Sequence, residues 1–472
     1  MKHVAFPGRL VILGFGSIGQ GVLPLILRHI DIAPERITIV TAEERGHDVA
    51  DEYGVRFILE AATRENYSRL LTPLLQSGDF LLNLSVDVSS VALMTLCQTC
   101  DVLYLDTVVE PWPGGYTDPA LTPSQRSNYA MREKALALRE AARGGPTAVT
   151  AHGANPGLVS HFVKQALLDI ARDTGAPVAV PPAAADRAAW AAIAERLGIK
   201  VIHIAERDTQ VADRPKRPGE FVNTWSVDGF VGEGCQPAEL GFGSHEKALP
   251  DDGHRHGFGC DAAIYLMRPG ASTRVRTWTP LEGPMHGFLI THNESISLAD
   301  YYTVRDASGA VRYRPTAHYA YHPCDDAVLS VHEFAGKNWE MQPEKRLMTD
   351  EIVSGMDELG VLLMGHAKGA YWYGSRLTIE EARRVVPHNN ATSLQVTAAV
   401  LAGVIWAIEN PRRGVVESDE IDHARILEIC APYLGDVVGV YSDWTPLQDR
   451  ARLFPEDLDA ADPWQFRNFR VT

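Results

Sequence analysis

The sequence predicts an α/β protein of two lobes: a doubly wound parallel sheet at the N-terminus, then an α+β lobe with a mainly antiparallel sheet. Three observations carry this. Over roughly the first 150 residues, short apolar runs alternate with helical segments. A glycine-rich turn, GFGSIG, joins the first of those runs to the first helix. From about residue 201 to 376, strand-like runs (VIHIAE, EFVNTW, TRVRTW, GFLITH) alternate with glycine-marked turns. A chain of 472 residues also exceeds one ordinary core, so two large lobes are expected.

The first strand is Leu10–Leu13, followed by a helix over 17–30 with Pro24 as a local kink. Ile37–Thr41 is β-branched and forms the second strand. Residues 57–59, 80–84, 102–105 and 148–151 supply four more. Strands separated by helices imply parallel pairing with right-handed crossovers. The Pro/Ala-rich stretch 177–187 reads as a loop before a helix at Arg187–Leu197. From Ala391 the chain is helical again, with Ala398, Ala402 and Gly403 permitting close packing. The expected domains are therefore 1–155 for dinucleotide binding, 156–388 for substrate binding and dimerisation, and 389–472 as a helical segment returning to the first lobe.

Hydrophobic content of 45% and charged content of 22% describe a folded globular chain. The net charge of −16 argues against a nucleic-acid partner and suits a cationic substrate. The apolar stretch 393–408 falls short of the roughly 20 residues a membrane span needs and is broken by Gln395 and Thr397, so a buried helix and no membrane are expected. The N-terminal apolar run is too short for a signal peptide, and a cytoplasmic location is expected. Cys97 and Cys100 form a C-x-x-C inside an apolar helical pattern, which reads as buried thiols, not a metal or redox pair. In DDGHRHGFGC, the acids beside His254 and His256 fit no closed zinc pattern, so a mobile polar loop and no metal are expected.

GFGSIG places Gly14, Gly16 and Gly19 in the G-x-G-x-x-G of a Rossmann dinucleotide site, with Ser17 and Ile18 opening the helix whose free N–H groups face phosphate. The second strand ends in Thr41, Ala42, Glu43 and Glu44. An acid there accepts hydrogen bonds from the ribose 2′-OH, so Glu43 favours NAD, while Arg45 keeps NADP open. Ser85, Asp87, Asp106 and Thr107 follow the fourth and fifth strands, where ligand crevices form.

A second set of residues sits in glycine-marked loops: Glu110, Glu206, Trp225, Glu233, His292, Asp357 and Glu358. Carboxylates hold ammonium groups by charge-assisted hydrogen bonds, and an indole face attracts a cation.

Taken together, GFGSIG, NLSVD, DTVVEPW, HGANPG, AERDTQ, TWSVDGFVGEG, GFGSHE, MDELG and NATSLQV resemble bacterial homospermidine synthases, a family similar in fold to saccharopine dehydrogenase. The resemblance runs from about residue 9 to about 465. It implies NAD as a tightly held prosthetic group, putrescine or spermidine as aminobutyl donor, putrescine as acceptor, imine intermediates, no net redox, and a homodimer. It also implies that Asp87, Glu110, Asn155, Glu206, Trp225, Glu233, His292 and Asp357 line the substrate tunnel or catalytic site. Hydride loss from an amine needs a base, and Glu206, Glu233 and His292 remain equal candidates at this point. Two rival readings are an NAD(P)-dependent reductive amination enzyme of the saccharopine or carboxynorspermidine dehydrogenase type, which would need cationic side chains for substrate carboxylates, and a non-catalytic NAD- or polyamine-binding regulator.

Overall fold

The computed structural model describes residues 2–181 and 186–471. Seven parallel strands make the first sheet, in the order Val415–Glu417, Ala148–Thr150, Leu103–Asp106, Phe80–Asn83, Leu10–Leu13, Ile37–Thr41, Arg56–Leu59. Apart from the first of these, the order is that of a dinucleotide-binding doubly wound sheet, and the strand order reverses between Leu10–Leu13 and Phe80–Asn83. All four residues of Leu10–Leu13 and of Phe80–Asn83 are buried, as expected for a parallel strand covered on both faces. The helix Ser17–His29 continues unbroken through Pro24.

The second lobe is built on an eleven-stranded mixed sheet. Its centre is Val201–Asp208, every residue of which is buried. That strand pairs in parallel with Thr316–His322 and antiparallel with Met356–His366. The remaining pairings in this sheet are antiparallel. The run GFLITH does not continue as a strand: Gly283–Phe288 ends early, and His292 instead precedes the helix Asn293–Tyr301 as its N-cap residue. Asp251–Cys260, expected as a mobile polar loop, includes the strand Gly253–Arg255, paired with Ala263–Pro269, and a buried His256. His256 stacks on Tyr129 at 3.9 Å and lies 3.2 Å from Glu239. Only part of the expected 177–187 loop falls within the described residues; the helix Arg187–Leu197 follows it.

The C-terminal segment is divided between the lobes. Its helix Ala391–Glu409, the one helix among the described residues apolar and long enough to cross a membrane, is 89% buried in the fold. It packs along Ser17–His29 and also touches Met356–His366 and Gly369–Thr378 of the second sheet. Beyond the helical segment expected there, Val415–Glu417 adds a strand to the first sheet and Asp436–Ser442 adds one to the second. Cys97 is buried on Ser90–Cys100, where burial pushes its thiol up, and both cysteines of that pair are free.

Arg132 fastens the lobes together. Its side chain is 2% exposed and grips Glu417 with both arms, at 2.6 and 2.8 Å. It also reaches Asp300 of the second lobe at 2.9 Å. Removing the guanidinium leaves the buried Glu417 with only the longer contact to Arg139, at 3.5 Å, and Asp300 with Arg187 alone, at 3.1 Å. Arg132→Ala should therefore lose about 3–5 kcal/mol in chemical denaturation. A loss below about 1 kcal/mol would mean that the network is spectator to lobe docking.

Candidate functional site

The glycine turn closes against the fourth strand. Gly14 has φ +86°, and a Cβ there would lie 2.7 Å from the Leu84 carbonyl and the Ser85 Cα. Gly19 is blocked by Phe15 and by the Gly14 carbonyl, at 2.9 and 3.0 Å. A Cβ on Gly16 would meet nothing within 4 Å, so the turn leaves open space beside the helix start. The N-terminus of Ser17–His29 carries no side-chain cap and no acid in its first turn. Unsatisfied N–H groups beside open space make a cradle for a pyrophosphate. Ser17 and Ile18 are half-buried at its rim, and Glu43 is exposed at the end of Ile37–Thr41. Ser85 donates to Asn83 and Thr107 lies against Gly153, both at the crevice. Asp106 is buried behind it: one oxygen accepts the Ala151 N–H at 2.6 Å and the other the Tyr104 hydroxyl at 2.8 Å. Burial lifts its carboxyl to about 6. Asp106 thus braces the strand ends.

The acids form a connected line below this crevice. Asp87 is exposed just after the fourth strand, at φ 63°, with its carboxyl raised by partial burial and by Asp228 of the second lobe. Glu110 is buried, its backbone pinned to Ser90 at the start of Ser90–Cys100. Burial, then Glu233 and Asp87, lift its carboxyl to about 8. Glu233 lies on the helix Val227–Cys235, not on a loop, and meets His292 Nε2 at 2.9 Å. The other ring nitrogen of His292 faces Glu294 at 3.2 Å. Although burial pulls the imidazole down, the two carboxylates win and hold it at about 10. His292 is therefore an imidazolium at neutral pH.

Glu206 occupies the buried strand Val201–Asp208 and is lifted to about 8 by burial. It accepts from the Tyr319 hydroxyl and, at 2.8 Å, from the Asn155 amide. Asn155 comes from the loop after Ala148–Thr150, so this bond joins the first lobe to the second sheet. Tyr319 also covers the His292 ring, with centroids 4.5 Å apart. Its neighbour on the same strand face, Tyr321, accepts the Trp225 indole N–H at 3.1 Å. Trp225 is half-buried and packs on Phe230. Asp357 lies in the strand Met356–His366, directly across from Asp208, and Thr392 donates to it.

All eight residues singled out for substrate fall along this line. The sequence reading missed Tyr319, Tyr321, Glu294 and Asp208. The alternation in TAHYAYH puts both tyrosines on one strand face, which is a usable signal; Glu294 and Asp208 each lie within two residues of a residue that was chosen. The expected loop setting was wrong for Glu206, Asp357 and Glu233, because two strands and a helix carry them.

The family model described as the saccharopine dehydrogenase NADP binding domain matches residues 10–149, and that of the saccharopine dehydrogenase C-terminal domain matches 153–440. A homospermidine synthase of Blastochloris viridis is 57% identical over 98% of this chain and 97% of its own. One of Mesorhizobium japonicum is 54% identical over 98% and 96%. The crystal structure of the Legionella pneumophila homospermidine synthase in complex with NAD superposes with a TM-score of 0.92 at 50% identity, covering 100% of this chain and 99% of that one. By end-to-end similarity in sequence and fold, the chain belongs to the homospermidine synthase family, on the saccharopine dehydrogenase plan.

Proposed function

We propose that this protein is an NAD-dependent homospermidine synthase, transferring an aminobutyl group from putrescine or spermidine to putrescine with release of ammonia or diaminopropane. The observation that carries it is the line of acids from Asp87 to Asp357, interrupted by the faces of Trp225, Tyr319 and Tyr321. Such a lining suits a flexible chain bearing an ammonium at each end. It does not suit carboxylated substrates. The nearby cation Arg207 is already engaged by Glu282 and Asp325, each at 3.2 Å, and by the Asp208 carbonyl. The rival dehydrogenase reading is disfavoured on that ground.

Gly14, Gly16, Ser17, Ile18 and Gly19 would hold the dinucleotide phosphates, Glu43 the ribose, and Ser85 and Thr107 the inner end of the crevice. When bound, NAD supplies a hydride acceptor that later becomes the donor, so no net oxidation follows. The chain's own groups manage protons and charge. Glu206 is the group able to take a proton from the reactive ammonium near neutral pH and return it. Asn155 and Tyr319 fix its direction. His292 serves as a fixed cation between Glu233 and Glu294, not as the base. Trp225, held by its indole N–H, presents a ring face to an iminium carbon–nitrogen bond of the substrate. Asp87, Glu110 and Asp357 hold ammonium groups along the chain. The reading includes a cytoplasmic homodimer through the middle lobe, where exposed Met267, Leu329 and Val353 offer apolar surface.

With putrescine and catalytic NAD, homospermidine and ammonia should accumulate while bulk NADH stays low, as read by mass spectrometry and absorbance together. Stoichiometric NADH would indicate an ordinary amine dehydrogenase.

The rate should depend on pH in a bell. Glu206 must be unprotonated to act, so kcat/KM should rise about tenfold per unit up to about 8. His292 must keep its proton, so the rate should fall above about 10. An acidic limb near 6.5 would instead point to an unpaired imidazole as base.

Trp225→Phe should slow turnover by the equivalent of about 0.5–2 kcal/mol, and Trp225→Ala by more, with little change in Tm because the ring is half-exposed. Near-native turnover in Trp225→Ala would remove the cation–π role.

A further inference from the structure

At the end of the acid line, two buried aspartates face each other across paired strands. Asp208 on Val201–Asp208 is the direct partner of Asp357 on Met356–His366, and both are 0% exposed. Their surroundings are unequal. Asp208 accepts from the Gln210 backbone N–H at 2.8 Å, the Gln210 amide at 3.1 Å and the Thr224 hydroxyl at 2.7 Å. Among the described residues, Asp357 accepts only from the Thr392 hydroxyl, on its Oδ2. Its Oδ1 is buried and has no hydrogen-bond partner among the described residues. The two are joined by a polar chain, because the Gln210 amide also donates to Thr392 Oγ1 at 3.0 Å.

Other groups around Asp357 do not relieve this. Glu206 and Asp208 act on it from the neighbouring strand and Glu358 from its own, all with the same sign. Glu358 is tied to Arg376 at 3.1 Å and accepts the Leu281 N–H, and Arg207 bears on Asp208. Across the other strand, the partner of Asp357 is the apolar Leu377. The long helix contributes only neutral groups, Thr392 and the Gln395 amide, and the latter donates to the Asp357 carbonyl. Two carboxylates this close in a dry strand pair cannot both stay ionised without a cation. The one with three donors keeps the charge.

We propose that Asp208 and Thr392 are positioning residues for diamine binding: Asp208 holds the negative charge, so that Asp357 is protonated in the empty site and gives up that proton when a substrate ammonium docks on its bare oxygen. This rests on the diamine reading above. The exchange balances: one ammonium enters, the Asp357 proton leaves to solvent, and no covalent bond of the substrate changes. Thr392 acts in the opposite sense to Asp208, since its donor favours the ionised carboxylate. Burial with Glu206 and Asp208 pushes the Asp357 carboxyl well above the usual range, in agreement with the geometry.

The test is calorimetry of putrescine binding to the NADH-loaded enzyme near pH 7, in buffers of different ionisation enthalpy. That form binds diamine without oxidising it. The wild type should release at least one proton per putrescine bound, that of Asp357 adding to any from Glu206 and Glu110. Asp208→Asn removes the facing charge, so Asp357 should carry less of its proton and the release should fall by up to one proton, leaving what Glu206 and Glu110 contribute. Thr392→Val should raise the putrescine KM several-fold at pH 7 and recover at alkaline pH, and Thr392→Ser should restore the wild-type profile. Putrescine binding without proton release in the wild type, or equal release in Asp208→Asn, would overturn the inference. So would a Thr392→Val defect that pH does not relieve. Absence of putrescine binding to the wild type would overturn the diamine reading itself, and this inference with it.

Discussion

Buried negative charge is the constraint around which the rest of this protein is arranged. Glu206, Asp208 and Asp357 sit at the centre of the second sheet, and Glu110 lies buried beyond them. Isolated carboxylates in such a place are costly, and a fold tolerates them only when donors or cations stand by. Here the donors are neutral and specific: the Asn155 amide, the Tyr319 hydroxyl, Gln210, Thr224 and Thr392. Of the nearby cations, His292 is spent on Glu233 and Glu294, and Arg207 on Glu282 and Asp325. The remaining deficit of positive charge suits the ammonium groups of the proposed substrate.

The donors come from both lobes, and this is why the lobes must be held in a fixed relation. Asn155 belongs to the loop leaving the first sheet, whereas Glu206 is in the middle of the second. Thr392 stands in the first turn of the long helix, whose body packs on Ser17–His29 of the dinucleotide lobe. Asn390 caps that helix by accepting the Ser393 N–H at 2.7 Å and donates to the Thr224 carbonyl beside Trp225. The cap thus sets both the helix start and the position of the indole loop. Arg132 completes the frame by joining Asp300 to the added edge strand at Glu417.

The same acids illustrate how environment divides labour among identical side chains. Glu206 and Glu110 are both lifted to about 8, mainly by burial. Only Glu206 is aimed by two side-chain donors from different elements. His292 would be the default base by its ordinary pKa, yet two flanking carboxylates turn it into a fixed charge.

The sequence by itself determined the dinucleotide lobe and singled out the residues proposed to face the substrate. Both are written locally: the glycine turn needs its residues at fixed spacing, and the acids and Trp225 lie in contiguous motifs. It placed Glu206, Glu233 and Asp357 on loops, because glycines nearby look the same in a turn as beside a strand or helix. It read DDGHRHGFGC as mobile, because the stacking of His256 on Tyr129 joins residues far apart in the chain. Only the tertiary structure decided that Glu206 is aimed by donors from two elements, that His292 is charged, and that Asp208 faces Asp357. Those outcomes depend on burial and on distances between strands that the sequence leaves separate, and electrostatic energy is set by distance and surroundings, not by residue type.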